Sequence, residues 1–186
     1  MSSKEYLQQV TVGQQKTHNS TIDLRPYDPC WPKMYEQEAQ IIQNALGASA
    51  VQVEHVGSTS VPGLSAKPIL DILLLVEDSS REEAYLPCLE QAGYFLRIRE
   101  PDWFQHRMLR KETPSVNLHV FSKDCEEAAR MIRFRDWLRS HQEDRELYQR
   151  TKEQLATQTW EYVQDYADAK TQVVKEIQRR AEQEKT

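Results

Sequence analysis

The stretch VQVEHVGSTSVPGLSAKPILDILLLV, residues 51–76, contains two apolar runs separated by a short polar loop. The runs, Val51–Val56 and Ile69–Val76, have the length and the β-branched composition of strands. The loop between them is rich in glycine, proline and hydroxyl groups, which is typical of a tight turn. The pattern therefore predicts two strands joined by a polar loop, with Asp71 on the second strand.

The loop carries groups that are suited to holding a phosphate. Gly57 lets the backbone approach a ligand closely, and the amides that follow it can point at an anion. Ser58, Thr59 and Ser60 add hydroxyl groups, and Lys67 would contact a phosphate as a point charge. The alternative is plain scaffold, because most turns of this composition bind nothing and Lys67 also fits a solvated turn. The loop is neither a Walker A loop nor a dinucleotide fingerprint, so it predicts a location rather than a reaction.

A longer motif within the same stretch carries a family resemblance. HVGSTSVPGLSAKPILDI, from His55 to Ile72, resembles the signature of the GrpB family, a branch of the nucleotidyltransferase-like superfamily. Further matches are Tyr27, Trp31, the segments 117–120 and 134–138, Tyr148 with Lys152, and Tyr166 with Lys170. The resemblance covers roughly residues 24–178. It implies a nucleotidyltransferase-like fold and, for an active member, metal-assisted transfer of a nucleotidyl or phosphoryl group.

The site that this resemblance implies is incomplete in the present chain. Nucleotidyltransferase-like folds hold two metals with two carboxylates at positions i and i+2 of a strand, which share a face, and with a third from a later strand. The segment Gly57-Ser58 matches the loop of such folds, and Asp71 matches the first carboxylate. The second position is Leu73, and the later strand offers His119. This departure argues against ordinary nucleotidyl transfer.

A single metal is the alternative at this site. His55, Asp71 and His119 together form a ligand set that suits one divalent ion such as Mg, Mn or Zn, provided that the three side chains converge. Each histidine alone also fits a structural role, with its ring bonded to backbone. Asp71 is the candidate catalytic residue, because an acid that enters an apolar run needs a partner to offset its desolvation. The competing interpretation of Asp71 is a cap or turn carboxylate.

Two arginines extend the predicted ligand site. Arg107 lies on a predicted strand, where it would either clamp a phosphate or face solvent. Arg135 is assigned to the cleft on resemblance alone, since pairs with acids of the same helix also explain it. The pairs Tyr148–Lys152 and Tyr166–Lys170 each have i, i+4 spacing, which places both side chains on one helix face. Such pairs usually brace packing and sometimes hold a ligand.

Composition restricts the class of partner. The net charge is −5, from 29 acidic and 24 basic residues, which argues against a nucleic-acid partner. No apolar run approaches the ~20 residues that cross a bilayer, and the N-terminal residues lack the apolar core of a secretory signal. The three cysteines are widely spaced and odd in number, which favours reduced thiols. We therefore expect a cytoplasmic protein without a membrane partner.

The order of predicted elements gives the fold class. Residues 1–20 lack apolar periodicity and predict a flexible extension, and residues 21–186 predict a single domain. A helix ending at Gly47 precedes the two strands, and a short helix begins near Pro87. Three further strands are predicted over Tyr94–Arg99, Trp103–Leu109 and Ser115–Phe121. After Asp124 the pattern is purely helical, and its last helix is predicted over about residues 159–182. These elements predict an α+β fold, a small mixed sheet with flanking helices and a helical C-terminal subregion.

Two functions fit these observations. The first is binding of a nucleotide or a related phosphorylated small molecule at the loop from Gly57 to Asp71, with or without metal-assisted group transfer. The second is a non-catalytic module that senses a ligand or binds a protein partner through a degenerate nucleotidyltransferase site. The leucine at position 73 favours the second, whereas the retained hydroxyl groups, Lys67 and Asp71 favour the first.

Overall fold

Five strands form one mixed sheet in the structure, a computed structural model that describes residues 3–14 and 19–184. The strands are β1 (Gln52–Val56), β2 (Leu70–Val76), β3 (Phe95–Glu100), β4 (His106–Lys111) and β5 (Val116–Ser122). Their order across the sheet is β1-β2-β5-β4-β3, in which β2 and β5 run parallel and the other neighbours run antiparallel. The two central strands are therefore β2, which carries Asp71, and its parallel partner β5.

Seven helices surround this sheet in the described part of the chain. They are α1 (Ser3–Val10), α2 (Trp31–Leu46), α3 (Leu86–Gln91), α4 (Glu126–Ser140), α5 (Gln142–Ala156), α6 (Val163–Ala169) and α7 (Thr171–Gln183). Helices α2 and α3 pack on one face of the sheet, and α4 packs on the other. Helices α5 and α7 pack against α4 and the loop that follows β1. None of the described helices is both long enough and apolar enough to span a bilayer.

Strand alternation places Asp71 on a particular face of the sheet. Ile72 and Leu74 enter the core beneath α2 and α3, whereas Leu73 and Leu75 pack under α4. Because successive side chains of a strand point to opposite faces, Asp71 lies on the α4 face. Asp71 lies near the start of β2, whereas α4 packs on Leu73 and Leu75 further along the strand. The Asp71 side chain is therefore 31% exposed.

The predicted α+β fold is confirmed, with two differences in element bounds. The strand predicted to begin at Trp103 begins at His106, because residues 101–105 form the turn between β3 and β4. The single last helix predicted over about residues 159–182 is divided into α6 and α7 at Lys170. Tyr162 caps α6, since its backbone N–H donates to Asp165 Oδ2 at 3.1 Å. The apolar periodicity of residues 159–182 does not show this division.

The predicted flexible extension over residues 1–20 differs from the structure at residues 3–14. Helix α1 forms there, and its Leu7 and Val10 are buried. Thr11 forms an isolated bridge with Ile98 of β3, which ties the segment to the sheet edge. Two apolar side chains in an otherwise polar helix are too few to give a periodic signal. Residues 1–2 and 15–18 of the predicted extension lie outside the described residues.

Candidate functional site

The loop after β1 brings the backbone against Asp71. Gly57 has φ +68°, and a Cβ placed on it would lie 2.8 Å from Asp71 Cβ, so only glycine fits without displacement. Residues Ser58–Ser60 form a single 3₁₀ turn, and Ser60 Oγ donates to the Gly57 carbonyl at 2.6 Å. Thr59 is buried, with Oγ1 3.0 Å from an imidazole nitrogen of His55. The hydroxyl groups of Thr59 and Ser60 therefore stabilise the turn, while Ser58 is left to face the pocket.

A pocket of about 140 Å³ lies between this loop, β2, β5 and the C-terminal helices. Its lining includes three lysines and two tyrosines from well-separated parts of the chain. The lining residues are Leu24, Gly57, Ser58, Thr59, Ala66, Lys67, Ile69, Asp71, Asn117, Tyr148, Lys152, Tyr166 and Lys170. The pocket thus contains the Gly57–Asp71 loop predicted from the sequence, together with side chains from α5 and from the end of α6.

Lys152 is the most deeply buried cation of the pocket. Its side chain comes from α5 and the residue is 2% exposed. Its Nζ donates to Ser58 Oγ at 3.0 Å and to the Ser65 carbonyl, and it lies 4.7 Å from the centroid of the Tyr148 ring. These contacts are one hydroxyl, one carbonyl and one aromatic face, so among the described residues Lys152 has no carboxylate partner within salt-bridge distance.

Lys67 and Lys170 approach the Tyr166 ring. Lys170 Nζ lies 4.3 Å from the ring centroid, and Lys67 Nζ lies 5.9 Å from it. The Tyr166 ring stabilises this positive charge through cation–π contact. Tyr166 is 1% exposed, yet its hydroxyl group has no hydrogen-bond partner among the described residues. An unsatisfied buried hydroxyl group is unfavourable by about 1–3 kcal/mol.

The lysines repel one another and are poorly solvated. Burial lowers the pKa of Lys152 to about 7, and the charge of Lys170 adds to this effect. Burial likewise lowers the pKa of Lys170 to about 8, although Asp71 opposes the change. The pKa of Lys67 is also lowered, first by burial and then by Lys170. Three ammonium groups therefore compete for one carboxylate, and the pocket favours an added anion.

Asp71 is the acidic residue that lines this pocket. Asn117 Nδ2 donates to its Oδ1 at 3.0 Å, and His119 Nε2 lies 3.7 Å from the same oxygen. Burial opposes ionisation of Asp71, but His119, Asn117 and Lys67 outweigh it, so the pKa of the carboxyl is lowered. Asp71 is therefore ionised at neutral pH. The next position on this strand face, Leu73, is fully buried.

His55 does not join Asp71 and His119, which corrects the predicted three-residue metal set. The register of β1 against β2 puts the His55 side chain on the opposite face from Asp71. The His55 ring stacks on Tyr35 of α2 at a centroid distance of 4.7 Å, and its Nε2 meets Thr59. Burial lowers the pKa of His55 to about 4. His55 therefore supports the loop from the far side of the sheet.

Arg107 and Arg135 lie outside the pocket, which corrects their predicted role in holding a ligand. Arg107 is buried on the other face of the sheet, where its guanidinium pairs with Glu82. Arg135 reaches from α4 to β1, donating to Glu54 Oε2 at 2.7 Å and to the His55 carbonyl at 2.9 Å. Both guanidinium groups are already paired with carboxylates, and both join separate elements of the fold.

Residues of the C-terminal helices complete the site, and the sequence pattern does not place them there. Lys152 and Lys170 each follow a tyrosine by four residues, a spacing that indicates a shared helix face but no partner. The structure brings both Tyr–Lys pairs to one pocket. The sequence offers one signal for this site, which is that the Tyr–Lys pair occurs twice. In addition, neither lysine has an acidic residue three or four positions away, which is the usual partner of a lysine on a helix surface.

Three comparisons relate this chain to known proteins. The family described as GrpB protein matches residues 21–180. A UPF0157 protein of Halalkalibacterium halodurans is 58% identical over 177 residues, which are 95% of this chain and 91% of that protein. The crystal structure of conserved protein GrpB from Enterococcus faecalis superimposes with a TM-score of 0.75 at 31% identity, over 85% of this chain and 96% of that one. A structure of the Cid1 poly(U) polymerase matches with a TM-score of 0.40 at 10% identity, over 73% and 43%.

Proposed function

The chain belongs to the GrpB family, and from this premise we propose that it binds a phosphorylated small molecule, with nucleotides as the leading class. The ligand occupies the pocket between Gly57, Asp71 and the C-terminal helices. Its phosphate lies against Lys67, Lys152 and Lys170. The single observation that carries this proposal is the convergence of three lysines and an unpartnered tyrosine hydroxyl on one pocket.

The charge of the pocket matches a phosphate monoester. Lys67, Lys152 and Lys170 in their protonated forms bring three positive charges, and Asp71 brings one negative charge. The excess of two positive charges balances the charge of about −1.5 to −2 that a phosphate monoester carries at pH 7. Ser58 Oγ and the Tyr166 hydroxyl supply further hydrogen bonds to phosphate oxygens. Anion binding relieves the repulsion among the lysines, which is a gain that a neutral ligand does not offer.

The volume of the pocket limits which part of the ligand it holds. Sites that enclose a drug-sized molecule span roughly 300–1,000 Å³. The present pocket, at about 140 Å³, accommodates a phosphate group and its nearest substituent. The remainder of a nucleotide would extend out of the pocket. We therefore expect affinity to depend mainly on the phosphate end, with weaker discrimination among bases.

The residues present do not fit a two-metal site. The second carboxylate position is the buried Leu73, and the position on β5 is His119. Within residues 3–14 and 19–184, no group of three or more His, Cys, Asp or Glu side chains is arranged to hold a metal ion. Lysine ammonium groups supply the positive charge at this site. Under this proposal, Asp71 serves to hold the lysines in place and to orient Asn117 and His119.

A ligand-sensing or partner-binding module without catalysis is the second candidate function. Leu73 favours it, because a buried leucine removes one of the carboxylates on which metal-assisted transfer depends. Both candidates share the same phosphate pocket. They differ in whether the bound phosphorylated molecule is converted, which phosphorus NMR of each ligand after incubation with the protein detects.

The test of the proposed function is thermal unfolding against a panel of anions. The panel contains inorganic phosphate, pyrophosphate, nucleoside mono-, di- and triphosphates and coenzyme A precursors, each with and without MgCl2 or MnCl2. A ligand at ~100 times its dissociation constant stabilises the folded state by roughly 2.7 kcal/mol, which is a clear rise in melting temperature. We expect this rise to be lost in Lys152→Met and kept in Lys175→Met, whose lysine is exposed on α7.

Two results would contradict this proposal. One is the absence of a melting shift with every anion of the panel. The other is an equal loss of the shift in both lysine variants, which would indicate nonspecific attraction to surface charge. A shift that requires the added metal would show that a divalent ion takes part.

Anion affinity is expected to fall as the pH rises from 7 to 9. Burial holds the pKa of Lys152 at about 7 and that of Lys170 at about 8, so both lose their protons in this range. Because the anion binds the form in which both lysines are protonated, binding takes up protons and the dissociation constant increases, by about two to three orders of magnitude. Calorimetric titration with sulfate, whose charge is constant over this range, measures the effect. An affinity for sulfate that does not change with pH would contradict the assignment of these lysines.

A further inference from the structure

Lys152 has the surroundings of a reactive amine rather than those of a paired cation. The residue is 2% exposed and lines the pocket beside Ser58. Its Nζ contacts Ser58 Oγ at 3.0 Å, the Ser65 carbonyl and the face of the Tyr148 ring. None of these groups is negatively charged, so they compensate little of the desolvation of an ammonium group. Buried lysines of this kind are the ones that act as nucleophiles and form imines with carbonyl compounds.

Neighbouring charges separate Lys152 from the other two lysines of the pocket. Asp71 favours the protonated forms of Lys67 and Lys170, because its charge raises the pKa of both. The carboxylate that raises the pKa of Lys152 is instead that of Glu153, which is exposed on α5. Burial and the charge of Lys170 outweigh it and hold the pKa of Lys152 at about 7. The pocket therefore contains two cations suited to a phosphate and one amine that is available for reaction at neutral pH.

We propose that Lys152 Nζ forms an imine with the aldehyde or ketone group of a small phosphorylated ligand, whose phosphate lies against Lys67 and Lys170. The three lysines line the same pocket, so one small molecule can meet the amine and both cations at once. This inference rests on the proposed function for the phosphate and adds a covalent bond to it. Nucleotides carry no aldehyde or ketone group in their sugar and would bind without this bond. The proposal therefore gives the pocket a further ligand class, the phosphorylated aldehydes and ketones.

Imine formation balances without any further reactant. The neutral Nζ attacks the carbonyl carbon, which forms the C–N bond and converts the carbonyl oxygen into a hydroxyl group. This hydroxyl group takes up a proton and leaves as water, so that a C=N bond forms with one proton retained on the nitrogen. Counted from the ammonium form, an ammonium group and a carbonyl group give one protonated imine and one water, with no net change in protons. Ser58 Oγ, at 3.0 Å from Nζ, is placed to carry a proton from the nitrogen to the departing oxygen.

Charge and size together select the ligand. The protonated imine keeps one positive charge at position 152, so the charge that balances a phosphate monoester is preserved when the bond forms. The pocket, at about 140 Å³, accommodates a phosphate group and its nearest substituent. The carbonyl carbon therefore has to be next to the carbon that bears the phosphate, as it is in glycolaldehyde phosphate and dihydroxyacetone phosphate.

Reductive trapping in the full chain tests this proposal. The protein is incubated at neutral pH with glycolaldehyde phosphate and sodium cyanoborohydride, which reduces an imine to a stable secondary amine, and peptide mass spectrometry locates the adduct. We expect the adduct on Lys152 in the wild type and in Lys175→Met, and its loss from this position in Lys152→Met. Glycolaldehyde, which lacks the phosphate, should give at least about tenfold less adduct on Lys152, because only the phosphate holds the carbonyl group beside the amine. Excess inorganic phosphate should suppress the reaction by competing for the pocket.

The outcomes separate this inference from the proposed function. If inorganic phosphate raises the melting temperature but glycolaldehyde phosphate leaves no adduct on Lys152, the inference fails alone. An adduct spread over exposed lysines, equal for glycolaldehyde and its phosphate, would also overturn it, since the pocket then confers no selectivity. If no phosphate raises the melting temperature and inorganic phosphate does not suppress trapping, the proposed function itself fails.

Discussion

Lys152→Met is expected to stabilise the ligand-free protein by about 1–2 kcal/mol and to abolish binding of anions in the pocket. Lys152 is 2% exposed, and its polar contacts are Ser58 and the Ser65 carbonyl, neither of which carries a charge. Exchanging a buried, poorly compensated charge for an apolar side chain of similar length commonly increases stability. The same charge is the one that an anionic ligand requires. Urea denaturation of the ligand-free variant and calorimetric titration with phosphate measure the two effects.

The pH dependence of stability distinguishes this explanation from improved packing. Lys152 has an ordinary pKa near 10.4 in the unfolded chain and a pKa of about 7 in the folded protein. Between these values the unfolded state binds more protons, so the free energy of unfolding rises with pH from about 7 upward. The destabilisation by Lys152 is therefore complete below pH 7, and the advantage of Lys152→Met should shrink as the pH approaches 9. An advantage that is constant over this range, or a destabilised variant at pH 6, would contradict the assignment.

Gly57→Ala is expected to lower the free energy of unfolding by roughly 2–6 kcal/mol and to eliminate stabilisation by phosphate. The backbone at Gly57 has φ +68° and ψ −172°, a conformation that is essentially confined to glycine and is unfavourable by roughly 1–3 kcal/mol for other residues. The new methyl group would also lie 2.8 Å from Asp71 Cβ, and such overpacking is unfavourable by roughly 1–3 kcal/mol. Relief of the clash moves the loop away from Asp71 and opens the pocket. Thermal unfolding with and without phosphate measures both effects.

Gly63→Ala is the matched control for this prediction. Gly63 also has a positive φ, +79°, but a Cβ placed on it meets no atom within 4 Å. Gly63→Ala should therefore show only the backbone contribution, about 1–2 kcal/mol, and should retain stabilisation by phosphate. Equal losses of stability in the two variants would show that the close contact between Gly57 and Asp71 does not contribute to the effect of Gly57→Ala. The prediction would then be wrong.

Local patterns were sufficient to predict the sheet and the position of the loop. Alternating and continuous apolar residues marked β1 and β2, because side-chain direction along a strand depends only on neighbouring positions. Gly57 and Asp71 were predicted to share a site for the same local reason, since they flank a single loop. Helix α1 was not predicted, because its stability comes from packing Leu7 and Val10 against other elements.

Predicted ligand residues on the loop itself reach the pocket, whereas those positioned by distant parts of the chain do not. Ser58 and Lys67 lie on the loop itself, and the structure brings them to the pocket. His55 was predicted to join Asp71, but strand pairing assigns the two side chains to opposite faces of the sheet. Arg107 is buried and pairs with Glu82 from a distant segment, and neither its spacing nor its charge indicates that pairing. Histidine and arginine can serve several roles, and the role of each is known only once its partner in the structure is known.

The sequence alone determined the family, the α+β fold and the loop that carries Asp71, because these depend on contiguous residues and on their local periodicity. Tertiary structure decided the composition of the pocket. Lys152 lies on α5 and Lys170 lies at the junction between α6 and α7, both far beyond the loop in sequence. Only the packing of these helices against the loop brings their charges together. Charge complementarity at a site is a property of distances in space, and a single sequence does not specify those distances.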